Sequence, residues 1–135
     1  NKYYKKPNII NHGFVDIDSK KFKNILVQCC FAILPSASEG GSPSLVNVIV
    51  NGGLIPIAPI IVGIEMFGID SLIINRRQSY DDIKKKIIET GGFTNSVITE
   101  LSKKFQRYYL EKYSFENYEK KMGKIIIEGI NEHKK

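Results

Sequence analysis

The chain reads as an α/β domain, a parallel sheet with helices on both faces. Three observations predict it. Short apolar runs alternate with amphipathic stretches of helical period, in the order β-α-β-α-β-β-α-α-α. The apolar runs are continuous in character, as strands buried on both faces are. Gly, Pro and Ser punctuate the junctions between them.

Residues 8–15 carry Ile9, Ile10, Phe14 and Val15 and read as a short strand, interrupted by His12-Gly13. No Asp, Ser or Cys stands at a recognisable spacing from His12, so it is expected to be a partly buried, hydrogen-bonded residue. Ser19 has the chemistry of an N-cap. Phe22, Ile25, Leu26 and Cys29 follow at helical spacing with lysines opposite, so residues 20–29 form an amphipathic helix. Residues 30–34 are a buried strand. Val46, Val48, Ile49 and Val50 favour a strand at 44–51 by propensity. Ser42-Pro43 opens that segment as a helix, however, and Gly52-Gly53 closes it as one. Two strands in succession there would also lack a crossover, so the segment is a helix.

Residues 54–58 are the next buried strand, and 71–75 a further short one. Ser79 with Asp82 three residues on approximates a capping box. Ile83, Ile87 and Ile88 form the inner face of the helix it opens, which Gly91-Gly92 ends. Thr94 begins a long helix with Val97, Ile98, Leu101, Phe105 and Tyr108 on one stripe. Ser114 caps the last, in which Phe115, Tyr118, Met122, Ile125 and Ile126 keep the period.

The 135 residues amount to one domain, 1–135, closing with helices over about 94–131. Hydrophobic residues at 42% and charged ones at 25% match an ordinary globular composition rather than a disordered or fibrous one. No apolar run reaches the roughly 18 residues of a membrane span, and Pro56 and Pro59 break the most apolar segment. The polar start carries no signal peptide, and opening on Asn1 suggests a piece of something longer. Cys29 and Cys30 have no companion cysteines at metal-ligand spacing and are poorly placed for a mutual disulfide. Both are expected as core thiols in a reducing cytoplasm.

The net charge of +6 is nearly all lysine, with Arg76, Arg77 and Arg107 the only arginines. The lysines fall on polar helix faces, the pattern of a solvated surface. A second reading is attraction to anionic partners, a nucleotide diphosphate or an acidic membrane surface. Nucleic acid is not expected, because no helix-turn-helix, aromatic stacking sheet or arginine cluster accompanies the charge.

Chemistry concentrates in the Ser/Gly-rich turn between the strand at 30–34 and the helix at 44–51. In an α/β domain that junction lies at the carboxyl edge of the sheet, where ligands bind. Gly40 and Gly41 let a ligand approach backbone N–H groups, and a helix beginning at Ser42-Pro43 aims its positive dipole end into the same loop. That is a phosphate site. Glu39 is the only charged side chain between Lys23 and Glu65. It would repel phosphate but can accept hydrogen bonds from sugar hydroxyls. The plainer alternative is a common glycine turn in which Glu39 is a partner for the helix dipole alone.

Taken in order, the text resembles the carboxyl-terminal half of a GT-B glycosyltransferase of the group 1 kind. The matching stretches are Asn11-His-Gly-Phe-Val15, Ile33-Leu-Pro-Ser36, Ser38-Glu-Gly-Gly41, Gly53-Leu-Ile-Pro-Ile57, and Tyr113-Ser-Phe-Glu116 between the closing helices. The resemblance covers residues 8–130. It implies one half of a GT-B fold, a Rossmann-like parallel sheet with flanking helices. It also implies transfer of a sugar from a nucleotide-diphosphate donor to an acceptor, in the assembly of surface polysaccharide or another glycan, without a metal or other cofactor. By position, Glu39 would bind the donor sugar and the N–H groups of Gly40, Gly41 and Ser42 the diphosphate. Backbone at Gly13, Phe14 and Val15 would lie close to the base. The enzyme would be cytoplasmic or peripheral at the cytoplasmic membrane.

The sequence departs from the family in two places. A second glutamate, which usually follows eight residues after the first and grips the ribose, is missing. Counting without a gap lands on Asn47, and counting back from Gly53 lands on Val48. Asn47 can still bond a ribose hydroxyl, without the charge assistance. The Arg and Lys that contact the diphosphate would lie upstream of Asn1, as would the amino-terminal domain that supplies acceptor recognition and a base. The half-cleft alone is expected not to turn over. The alternative is a degenerate, non-catalytic interaction domain that binds a protein partner or an anionic membrane.

Overall fold

The computed structural model describes residues 6–36, 42–60, 63–75 and 79–132. It is a mixed α/β fold: a small parallel sheet of two strands, flanking helices and a long helical carboxyl-terminal part. Helix α1 (Lys20–Leu26) starts where Ser19 stands extended and its hydroxyl oxygen accepts the Phe22 N–H at 3.1 Å. It ends three residues earlier than its apolar period suggests. The N–H groups of Gln28 and Cys29 bond carbonyls only three residues back, which tightens the chain into a turn toward the sheet. Cys29 and Cys30 sit in that turn and are exposed. The expectation of two core thiols is therefore corrected.

Strand β1 (Phe31–Ile33) pairs in parallel with β2 (Ile55–Ile57), Phe31 opposite Ile55 and Ile33 opposite Ile57. Parallel neighbours need a crossover, and α2 (Pro43–Gly52) supplies it. Punctuation wins over propensity here. Pro43 occupies the first helical position, and Gly53 closes the helix with φ 64°. A Cβ on Gly53 would also stand 2.5 Å from the Ser102 hydroxyl, so both the backbone angle and the space require glycine.

Two expected strands are not formed. Residues 8–15 hold no strand. The Asn11 side-chain oxygen accepts the Gly13 N–H at 2.9 Å and Gly13 turns left-handed, a local bond that replaces pairing with a neighbour. His12 there is exposed, not part-buried, although its carbonyl oxygen accepts the Lys21 ammonium at 3.0 Å. The segment at 71–75 contributes one bridge, Ala58 to Ile73, preceded by a 3-10 turn at Asp70–Leu72. Ala58 donates to Leu72 and accepts from Ile74. The next donor along β2 on that side would be residue 56, which is proline and has no N–H. The ladder stops there, and the Asp70 carbonyl accepts the Lys86 ammonium at 2.6 Å instead.

Helix α3 (Tyr80–Gly91) begins with a complete capping box: the Ser79 hydroxyl oxygen accepts the Asp82 N–H, and the Asp82 carboxylate accepts the Ser79 N–H. The helix packs on the 3-10 turn through Ile83, which is half-buried. Ile87 and Ile88 are 41% and 66% exposed, so they do not form the expected inner face. Helix α4 (Asn95–Lys112), capped by Thr94, packs along α2 and on β2. Phe105 and Tyr109 are its fully buried residues, and with Leu45, Ile49, Ile55, Ile57 and Leu72 they form the core. Gln106 donates to the Val50 carbonyl at 2.9 Å, satisfying an end group of α2. Helix α5 (Phe115–Glu132) keeps its apolar period yet leaves that face exposed. Among the described residues no helix is long and apolar enough to cross a membrane.

Candidate functional site

Of the residues predicted to bind the donor, Ser42 and Asn47 belong to the amino-terminal part of α2. Glu39, Gly40 and Gly41 lie outside the described residues. Ser42 is the N-cap residue and Pro43 follows as the first helical residue, as the sequence implied. Ser42 is buried, and its hydroxyl makes no capping bond to the first turn. An anion would therefore be met there by backbone N–H groups and the helix dipole rather than by the hydroxyl. Its carbonyl already accepts from Val46 at 2.9 Å, so the helical ladder is in place from its first turn.

The direction of α2 follows from two contacts at its other end. A Cβ on Gly52 would lie 2.9 Å from the Cβ of Leu26, so the last turns of α1 and α2 meet. Ile55 donates to the Cys30 carbonyl at the beginning of both strands. As the crossover between parallel strands, α2 therefore starts at the carboxyl edge of the sheet and finishes at its amino edge, where the end of α1 meets it. The end of β1 at Leu34 and Ser42 at the start of α2 lie on the carboxyl edge. The segment before the Gly13 turn is tied to α1 by the bond from the Lys21 ammonium to the His12 carbonyl.

At the base-proximal segment, Gly13 has φ 63° and Phe14 is 95% exposed, while Val15 is half-buried. Of the two candidates for the ribose, Val48 packs against the core and is unsuited. Asn47 is half-buried in the second turn of α2, and its carbonyl accepts the Asn51 amide at 2.8 Å. Among the described residues no three His, Cys, Asp or Glu side chains come together in a group that could hold a metal ion.

Elsewhere the surface is shaped by α4. A cavity of about 500 Å³ is lined by Phe67, Lys103, Lys104, Arg107, Tyr108 and two glutamates, with the Lys104 ammonium 4.3 Å from the Phe67 ring centroid. Phe67 is the one non-glycine residue with positive φ among those described. It is held by edge contacts to Phe105 and Tyr108 at 4.9 and 5.3 Å and by the Glu65 carboxylate on its N–H at 2.8 Å. Sequence reasoning missed this aromatic cluster because Tyr108 and Tyr109 both fit the period after Phe105. Tyr109 sits four residues after Phe105, and that spacing was the available signal.

Comparison with known proteins found no matching family model, curated protein or solved structure.

Proposed function

We propose that the chain is the donor-binding half of a GT-B glycosyltransferase, a Rossmann-like unit that holds a nucleotide-diphosphate sugar while a second domain brings the acceptor and a base. The observation that carries this reading is the parallel β1–α2–β2 unit, whose helix opens at Ser42-Pro43, directly after Glu39, Gly40 and Gly41 in the sequence. The carboxyl edge of such a unit is where α2 begins. In transfer, the bond from the sugar's anomeric carbon to the diphosphate breaks and an acceptor oxygen takes its place. Charge grows on the departing diphosphate, and fixed N–H groups at a helix start stabilise it without having to reorganise. Glu39 accepts hydrogen bonds from the sugar hydroxyls, and Asn47 bonds a ribose hydroxyl less strongly than a carboxylate would. The setting is a cytoplasmic enzyme of glycan assembly.

Titration with uridine and guanosine diphosphates and their sugar conjugates, followed by amide NMR, tests the reading. The amides of residues 40–45 shift, and Glu39→Ala removes the preference for the sugar conjugate more than it removes nucleotide binding. No shift at millimolar nucleotide, in this chain and in the full-length protein, overturns it.

A further inference from the structure

Cys29 and Cys30 are both exposed, although free cysteine is among the residue types most often buried. Packing is therefore not their role, and their sulfur chemistry comes to the front. Consecutive side chains in a strand point to opposite faces, but these two precede the strand. The Leu26 carbonyl accepts the Cys29 N–H at 3.1 Å, and the chain bends at Cys30 before β1 begins. Both cysteines border a single cavity of about 220 Å³, which Gly52 and Gly53 at the end of α2 and Ser102 and Lys103 of α4 also line. Lys103 makes no ion pair among the described residues. As chain neighbours the two Cα atoms are about 3.8 Å apart, short of the roughly 4.4 Å at which disulfides begin. The pair stays a dithiol rather than closing on itself.

We propose that Cys29 and Cys30 together hold one soft monovalent metal ion, copper(I), in this cavity where the ends of α1 and α2 meet the side of α4. Thiolate sulfur is a soft ligand and favours copper(I) over magnesium and calcium, which take oxygen. Structural zinc takes four ligands, and among the described residues no group of three His, Cys, Asp or Glu side chains could hold an ion. An ion satisfied by two thiolates needs no third ligand. Binding replaces two S–H bonds with two S–Cu bonds and releases both protons to solvent. Two thiolates and one monovalent cation leave a single negative charge on the complex. The Lys103 ammonium offsets it, and no carboxylate lines the cavity to oppose it. The Cys30 carbonyl accepts the Ile55 N–H where the two strands begin, so the site lies on the edge of the sheet opposite the start of α2. This inference is independent of the donor site.

Anaerobic titration of the fully reduced chain with copper(I) held by bicinchoninate tests it, because the coloured complex bleaches as the protein withdraws the ion. One copper(I) per chain is expected. Cys29→Ser and Cys30→Ser should each weaken binding by about a hundredfold, since the second S–Cu bond forms within one molecule. Lys103→Met should weaken it by about threefold, the scale of one exposed charge interaction, with one ion per chain retained. All three side chains are exposed, and unchanged circular dichroism confirms that the variants fold. No withdrawal of copper(I), or single serine variants that bind as tightly as wild type, overturns the proposal. So does one copper shared by two chains in a dimer, which would place the ion between copies. Equally tight one-to-one uptake of zinc(II) overturns it too, because further ligands would then complete a four-coordinate site.

Discussion

The Tyr109 hydroxyl oxygen accepts the backbone N–H of Glu65 at 2.5 Å, joining the last turn of α4 to the loop that follows β2. Glu65 in turn accepts the Phe67 N–H through its carboxylate. One buried phenol therefore fixes a loop at the sheet and, through it, the left-handed Phe67. Tyr109→Phe keeps the ring and removes the oxygen that accepts that N–H. A loss of about 1–2 kcal/mol is expected, the cost of leaving one amide poorly satisfied. Urea unfolding measures it, and an unchanged midpoint would show that the bond contributes nothing.

Burial of that phenol also pushes its pKa up from 10.0 to about 12, with the Glu65 N–H bond opposing the shift. The sign follows from the neutral form being favoured in the folded state. The contribution is complete below pH 10 and is lost as pH rises toward 12. Wild type should accordingly lose stability in that window, whereas Tyr109→Phe, which has no proton to lose there, should lose less. Thermal midpoints of the two proteins from pH 9 upward decide it.

Gly53→Ala strains the chain twice. The left-handed backbone costs a non-glycine residue about 1–2 kcal/mol, and the new Cβ meets the Ser102 hydroxyl at 2.5 Å. Pairing it with Ser102→Gly removes the second obstacle and leaves the first. The double variant should recover part of the stability lost in Gly53→Ala and not all of it. Full recovery in chemical unfolding would mean that the backbone angle carries no cost.

The Ser79 hydroxyl and N–H both bond the Asp82 carboxylate, and the hydroxyl bond is the main reason its pKa falls below the usual 3.8. A depressed carboxylate favours the folded helix above its unfolded pKa, and that support disappears as pH falls through the folded value. The start of α3 should therefore fray in acid before the core unfolds. Amide exchange at Ser79 and Asp82, read against Phe105 as the core reference, reports this. Loss of protection at all three together would exclude a local event.

Much of the helical layout was legible because caps are local. Ser19, Ser79, Thr94 and Ser114 each bond a backbone N–H three residues on, so sequence spacing alone identifies them. The start and end of α2 were legible from Pro43 at its first position and the left-handed Gly53 after its last, despite four β-branched residues between them, although Ser42 makes no capping bond. What could not be read depends on partners distant in sequence. The strand expected at 71–75 fails at Pro56, which lies on another strand. Periodicity revealed the apolar face of α5 but not whether anything covers it. At the candidate site, Ser42 and Pro43 were correctly placed at the helix start, and the burial of Ser42 was invisible because neighbours from the rest of the fold cause it.

Lys86 supplies the last test, because it occupies the place of a missing ladder donor. Pro56 offers no N–H, Leu72 donates to Ile69 within the 3-10 turn, and the Asp70 carbonyl takes the Lys86 ammonium at 2.6 Å. That bond ties α3 to a turn which is its main packing surface. Lys86→Met keeps the aliphatic stem and removes the donor, and loss of a hydrogen bond to a charged group costs about 1.5–3 kcal/mol at most, less where solvent reaches it. Protection should fall along α3 and in the Asp70–Leu72 turn while α2 and α4 hold theirs, because the core residues of those helices do not depend on α3. Native-state hydrogen exchange distinguishes this from the alternative. If all helices lost protection equally, α3 would be part of the cooperative core rather than an element docked by one lysine.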